Sequence, residues 1–168
     1  MWISEGFIEW LVLGDVLVVL ETTDGLHLIE DGHDHVAASE QREADRYLIG
    51  TSEKIDAMLR MKHAELAARN TPGGFWVAST DPQAANHAKH GKLSVDQVSR
   101  VLMLTDGAAR LVSDFDLAEW TEVLNLVSDK GTDELIRLVR EAEDSDPVGE
   151  RWPRNKKSDD ATAVLLTV

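Results

Sequence analysis

RVLMLTDG, residues Arg100 to Gly107, joins a nearly unbroken apolar run to an acid and a glycine. A strand with one face in water alternates apolar and polar side chains, whereas a run without alternation reads as a strand covered on both faces. RVLMLT is therefore expected in the middle of a layered structure. Downstream, LAEWTEVLNLVSDKG and TDELIRLVREAED carry apolar residues at helical spacing. The second is expected to open with Thr132 as its cap and acids in its first turn. A polar loop, EDSDPVGERWPRNKKSDD, then leads into ATAVLLTV, another apolar strand.

Upstream, FIEWLVL (Phe7 to Leu13) and VLVVLE (Val16 to Glu21) are rich in β-branched and aromatic residues, and Gly14-Asp15 between them is a hairpin or bulge signal. TTDG (Thr22 to Gly25) reads as a turn and LHLIE as a third short strand, completing a meander. From Val36 to about Arg69 the composition changes to helix formers, with Ile55, Met58, Leu59, Lys62 and Leu66 at helical spacing. Two helices are expected there, divided near IGTS, where Gly50 stops one and Ser52 caps the next. NTPGG ends the helical part, GFWVAST is expected to resume extended structure, and DPQAANHAKHGKL reads as a turn or short helical excursion. Strands in groups and helices in pairs predict an α+β fold of sheets covered by helices rather than a Rossmann alternation. No GxGxxG, GxxxxGK[ST] or GxSxG is present.

Composition narrows the function. With 168 residues, 43% of them hydrophobic, the chain can bury a core and is expected to form a single domain over 1–168. Thirty-one acids against 17 bases give a formal charge of -14, which argues against nucleic acid and anionic lipid as partners. The absence of cysteine excludes disulfides, thiolate metal sites and thiol catalysis, and fits a reducing, cytoplasmic setting. WLVLGDVLVVL is interrupted by Gly14 and Asp15 and is too short to span a bilayer; no basic stretch precedes it as in a signal peptide.

Two acids then stand out. Asp106 ends one apolar strand and Asp159 introduces the last; if those strands are neighbours, the two carboxylates converge at the rim of a sheet. Carboxylates that close repel unless one is protonated or a cation lies between them, and aspartate oxygens favour a hard ion such as Mg²⁺ or Mn²⁺. The structural alternative is ordinary: Asp-Gly is a common turn, and an aspartate after serine caps many loops.

The order LGDVLVV, VLMLTDGAARLV, KSDDATAVLLTV resembles the later part of the metal-dependent protein serine/threonine phosphatases of type 2C, the PPM class, and GGFWVASTDPQAANHA is similar to a bacterial subgroup of it. The resemblance extends from about Phe7 to Val168. It implies an αββα sandwich of antiparallel sheets covered by paired helices and a binuclear Mg²⁺ or Mn²⁺ centre at one end. In the family a metal-bound hydroxide attacks the phosphorus of a phosphoserine or phosphothreonine protein. By motif match Asp106 and Asp159 stand at metal-ligand positions. Asp15 matches an aspartate that helps hold an outer metal in some members, and Asp160 stands where asparagine is usual. Arg110 occupies the place of another outer-site aspartate. The family's DGxGG loop and its leading phosphate-gripping arginine are not found ahead of LGDVLVV; DGHDH, Asp31 to His35, comes after it. The chain thus looks like the C-terminal part of a phosphatase domain, with weak or no turnover expected from it alone.

His33, Asp34 and His35 form a compact metal-binding possibility, but alternate residues on an extended segment point to opposite faces. His87 and His90 read as polar surface, and Lys156 and Lys157 as solvated loop charges near Asp159. The tryptophans read as core anchors, with Trp2 and Trp152 the candidates for exposure. A non-catalytic interaction or regulatory module that keeps the sheets is the competing reading, and open sheet edges predict self-association in either case.

Overall fold

The computed structural model describes residues 1–32 and 36–168. The histidines and acid at positions 33–35 lie outside the described residues. The strands are β1 (Trp2–Ser4), β2 (Phe7–Val12), β3 (Val16–Thr22), β4 (Gly25–Ile29), β5 (Lys89–Ser94), β6 (Val98–Thr105) and β7 (Ala163–Thr167). The helices are α1 (Ala38–Ala44), α2 (Ser52–Ala68), α3 (Asp106–Ser113), α4 (Trp120–Lys130) and α5 (Thr132–Ser145), with short 3-10 turns at Pro82–His87 and Val95–Gln97. Two antiparallel sheets result, ordered β1-β2-β5 and β4-β3-β6-β7.

β6 is interior, as its apolar run predicts. Leu102 and Leu104 join Leu17 and Val19 of β3 in a core against α3, α4 and α5, which supply Ala108, Leu111, Val123, Leu124, Val127, Leu135 and Val139. The alternate residues Val98 and Val101 meet Val18 and Leu20, together with Ile8 and Val12 of β2, in a second core. Stacking of the sheets through that second core covers the middle strands β3 and β6 on both faces, while the edge strand β4 stays largely exposed.

Several local expectations give way. Gly14-Asp15 closes no hairpin: β2 pairs with β1 and β5, and β3 with β4 and β6, so the pair is a corner between sheets and Gly14 takes φ +88° to make it. The expected meander therefore reduces to the β3–β4 hairpin. GFWVAST forms no strand; Phe75 makes a single bridge with Arg69, and the Trp76 ring stacks on His87, 3.8 Å between centroids. The excursion after it contains β5, whose Gly91 lies opposite Trp10; a Cβ at Gly91 would fall 2.2 Å from the indole.

Caps shift by one residue. Thr51 rather than Ser52 caps α2, its Oγ1 accepting from Lys54 N at 3.2 Å, and Gly131 rather than Thr132 occupies the cap of α5. The apolar stripe on α2 faces outward, with Ile55, Leu59 and Leu66 more than half exposed, because the buried side of this helix is Lys54, Ala57 and Met61. Lys54 donates to the Ala44 carbonyl at the end of α1, and α1 is tied to the loop before β7 through Gln41 and Asn155. Trp2 is 49% exposed, whereas Trp152 packs on Phe115 at 4.9 Å. Among the described residues no helix is long and apolar enough to cross a membrane.

Candidate functional site: an acid rim with its own cations

Strand register assembles the rim. Val16 of β3 pairs with Thr105 of β6, and Leu104 pairs with Ala163 of β7. The start of β3, the end of β6 and the approach to β7 therefore share one edge, and Asp15, Asp106, Asp159 and Asp160 all line one cavity of about 840 Å³. Thr105 links the two segments: its N–H donates to Thr162 O at 3.1 Å, and its Oγ1 accepts from Thr162 N at 3.0 Å.

Asp106 follows β6 directly, as expected, but instead of forming an Asp-Gly turn it begins α3, with Thr105 as cap and its own Oδ1 accepting from Gly107 N at 2.7 Å. Gly107 is required by proximity. A Cβ there would lie 2.3 Å from Asp160 O and 3.0 Å from the Asp159 Cβ, so the bare glycine lets the helix start against the incoming strand.

The rim carboxylates differ in their surroundings. Burial pushes the Asp106 carboxyl above the usual range, and the negative charges of Asp159 and Asp15 add to the rise, against the Gly107 N–H and the charge of Arg110. Asp159 goes the other way: burial opposes its ionisation, but contacts from Lys156, Asp160 N–H and Arg110 outweigh it and hold the group low. Its Oδ2 accepts from Arg110 Nη2 at 3.3 Å, and its Oδ1 takes Lys156 and Asp160 N at 2.8 Å.

Arg110 is the residue whose importance the spacing of acids conceals. Buried in α3, it also reaches Glu143 of α5 at 2.8 Å, and Glu143 is fully enclosed and bound by Arg140 at 2.6 Å. Arg140 in turn donates to Asp159 O at 2.6 Å. Burial works against ionised Glu143, yet the donors Arg140, Ser158 and Arg110 together keep its carboxyl below the ordinary range. The polar loop before β7 has a similar brace: buried Arg154 pairs with Asp146 at 2.9 Å, while Asp146 accepts from Glu150 N and Trp152 N. An arginine inside the otherwise apolar GAARLV segment is the sequence signal for the first network; nothing local marks the second.

The Asp106 carboxylate faces the charges of Asp15 and Asp159, a repulsion that a hard divalent cation would relieve. Asp159 is already met by protein cations, of which Lys156 is exposed and free to swing aside. Among the described residues no group of three or more His, Asp or Glu side chains is placed to hold one ion. Ionised Asp106 costs stability at neutral pH, and that cost vanishes as pH falls through its raised pKa. Asp106→Asn is therefore expected to stabilise the metal-free protein at pH 7 and to make no difference near about pH 3, as checked by urea unfolding at both values. No protein-family model matches the chain, and no curated protein is significantly similar to it.

Proposed function

We propose that the chain is a metal-dependent phosphomonoester hydrolase domain of the type-2C protein serine/threonine phosphatase kind, its two sheets belonging to an αββα sandwich. The observation that carries this reading is the register that brings Asp15, Asp106, Asp159 and Asp160 to one cavity. Asp106 is the principal ligand for Mg²⁺ or Mn²⁺, Asp159 the second, and Asp15 and Asp160 flank them. Bound there, the ion would supply an acidified water and neutralise phosphate charge. Arg110 fixes the Asp159 carboxylate, Thr105 holds the two segments at their spacing, and the Asp106 carboxylate meets the Gly107 N–H but, among the described residues, no side-chain cation within ion-pair distance. Since no group of three or more acids or histidines among the described residues surrounds one ion, turnover by this chain is expected to be slow.

Calorimetric titration with Mn²⁺ tests the assignment. Heat of binding that disappears in Asp106→Asn, together with EDTA-sensitive hydrolysis of p-nitrophenyl phosphate, supports it; no heat in the native chain removes it. A second reading, a non-catalytic interaction or regulatory module, is favoured by the satisfaction of Asp159 by Arg110 and Lys156. It predicts no metal heat, while self-association through the open edges β1, β5, β4 and β7, expected on either reading, would appear in light scattering as a mass above the monomer.

A further inference from the structure

The cavity is not acidic in the way the chain is. Acids outnumber bases by 31 to 17 over the whole sequence, yet the lining carries Asp15, Glu65, Asp106, Asp114, Asp159 and Asp160 against Lys62, Arg69, Arg110, Arg154 and Lys156. A nearly balanced pocket in a strongly anionic protein is a place where an anion avoids most of the general repulsion.

Of these bases, Lys62 is paired with Glu65, Arg110 with Glu143 and Asp159, Arg154 with Asp146, and Lys156 with Asp159. Arg69 has no carboxylate partner among the described residues. Its backbone is nonetheless firmly placed at the end of α2. Phe75 N donates to Ala68 O at 3.2 Å, Asn70 N to Phe75 O at 2.7 Å, and Thr71 Oγ1 to Ala68 O at 2.8 Å. Val77 N closes the turn on the Asn70 side chain, also at 2.8 Å. Gly74 makes this turn possible, since a Cβ there would fall 1.9 Å from Ala68 O.

We propose that Arg69 is an anion anchor of this cavity and that the class of ligand it takes is a phosphate group, free or as a phosphorylated side chain. A guanidinium presents a planar fork of donors that matches two phosphate oxygens at once, and the turn fixes the backbone that carries it at the cavity. This rests on the phosphatase reading for its substrate class but not for its existence, because an anion contact at Arg69 needs no metal.

The experiment measures binding of inorganic phosphate and of a phosphoserine peptide to the native chain and to Arg69→Gln, by calorimetry or ³¹P line broadening, first without and then with Mn²⁺. Expected is an affinity about tenfold weaker for both probes in the variant, with the heat of Mn²⁺ binding unchanged. A loss confined to the peptide assigns the anchor to phosphorylated side chains; a loss for both assigns it to the phosphate group itself. Equal affinity in the two proteins, or binding in neither, overturns the proposal while leaving the metal assignment intact. If Mn²⁺ gives no heat but phosphate binding still depends on Arg69, the metal assignment falls and the anion anchor stands.

Discussion

Gly107→Ala is expected to destabilise the protein by roughly 2–4 kcal/mol, although alanine is the better helix former. The added Cβ would lie 2.3 Å from a main-chain oxygen, Asp160 O, so no side-chain rotation relieves the overlap and either α3 or the approach to β7 must move. Any such shift strains the paired hydrogen bonds between Thr105 and Thr162 and separates Asp159 from Asp106. Urea denaturation checks the stability, and loss of Mn²⁺ heat at temperatures where the variant is still folded checks the site. An unchanged midpoint would mean that the close approach has no energetic weight.

Arg110→Met is expected to cost more, about 3–5 kcal/mol, because it leaves the enclosed Glu143 and the rim acid Asp159 without their shared cation. The pH dependence identifies the cause. With the guanidinium gone, Glu143 keeps Arg140 and Ser158 but loses one of the three donors that oppose its burial, so its carboxyl rises toward the ordinary range and the support it gives above that range shrinks. In the native chain that support is larger, present above the ordinary carboxylate range and lost on acidification, so the gap between native and variant is wider at pH 8 than at low pH. Arg110→Met combined with Glu143→Met removes cation and anion together and should recover most of the loss, since apolar replacements of similar volume are well tolerated where an ion pair was buried. Thermal unfolding of the two single variants and the double variant at pH 5 and pH 8 gives the comparison.

The general architecture was readable because it rests on periodicity. Continuous apolar character marked β6 as interior, and helical spacing marked α4 and α5 with their buried faces Val123, Leu124, Val127 and Leu135, Val139. The same logic misread α2, where Ile55, Leu59 and Leu66 share a face that meets no core; spacing tells that a stripe exists, not that something covers it. Gly14-Asp15 was ambiguous for a physical reason: a glycine at positive φ serves equally for a tight hairpin and for a corner between sheets, and only the partners of β2 decide. β5 escaped notice because its Lys, His, Gly and Ser carry little strand propensity; its place is set by pairing with β2 across Gly91 and Trp10.

Convergence of Asp106 and Asp159 on one cavity could be anticipated from their positions at strand ends, given neighbouring strands. Their unequal environments could not, since these depend on burial and on Asp15, Arg110 and Lys156 from three separate segments. The same holds for Arg69, whose relevance comes from what the other bases in the cavity already hold.

The presence of a core on each side of the four-stranded sheet has a further cost. Leu165 and Leu166 belong to opposite cores, and both are apolar, so sliding the terminal strand by one position would exchange two oily residues for each other with little penalty. Hydrophobicity is thus a poor ruler for alignment here, and the measuring must be done by the polar stitches at Thr105 and Thr162 and by the tight seat at Gly107. Errors in threading that last segment would accordingly surface first as misplaced acids, in molecules whose interior is otherwise well filled.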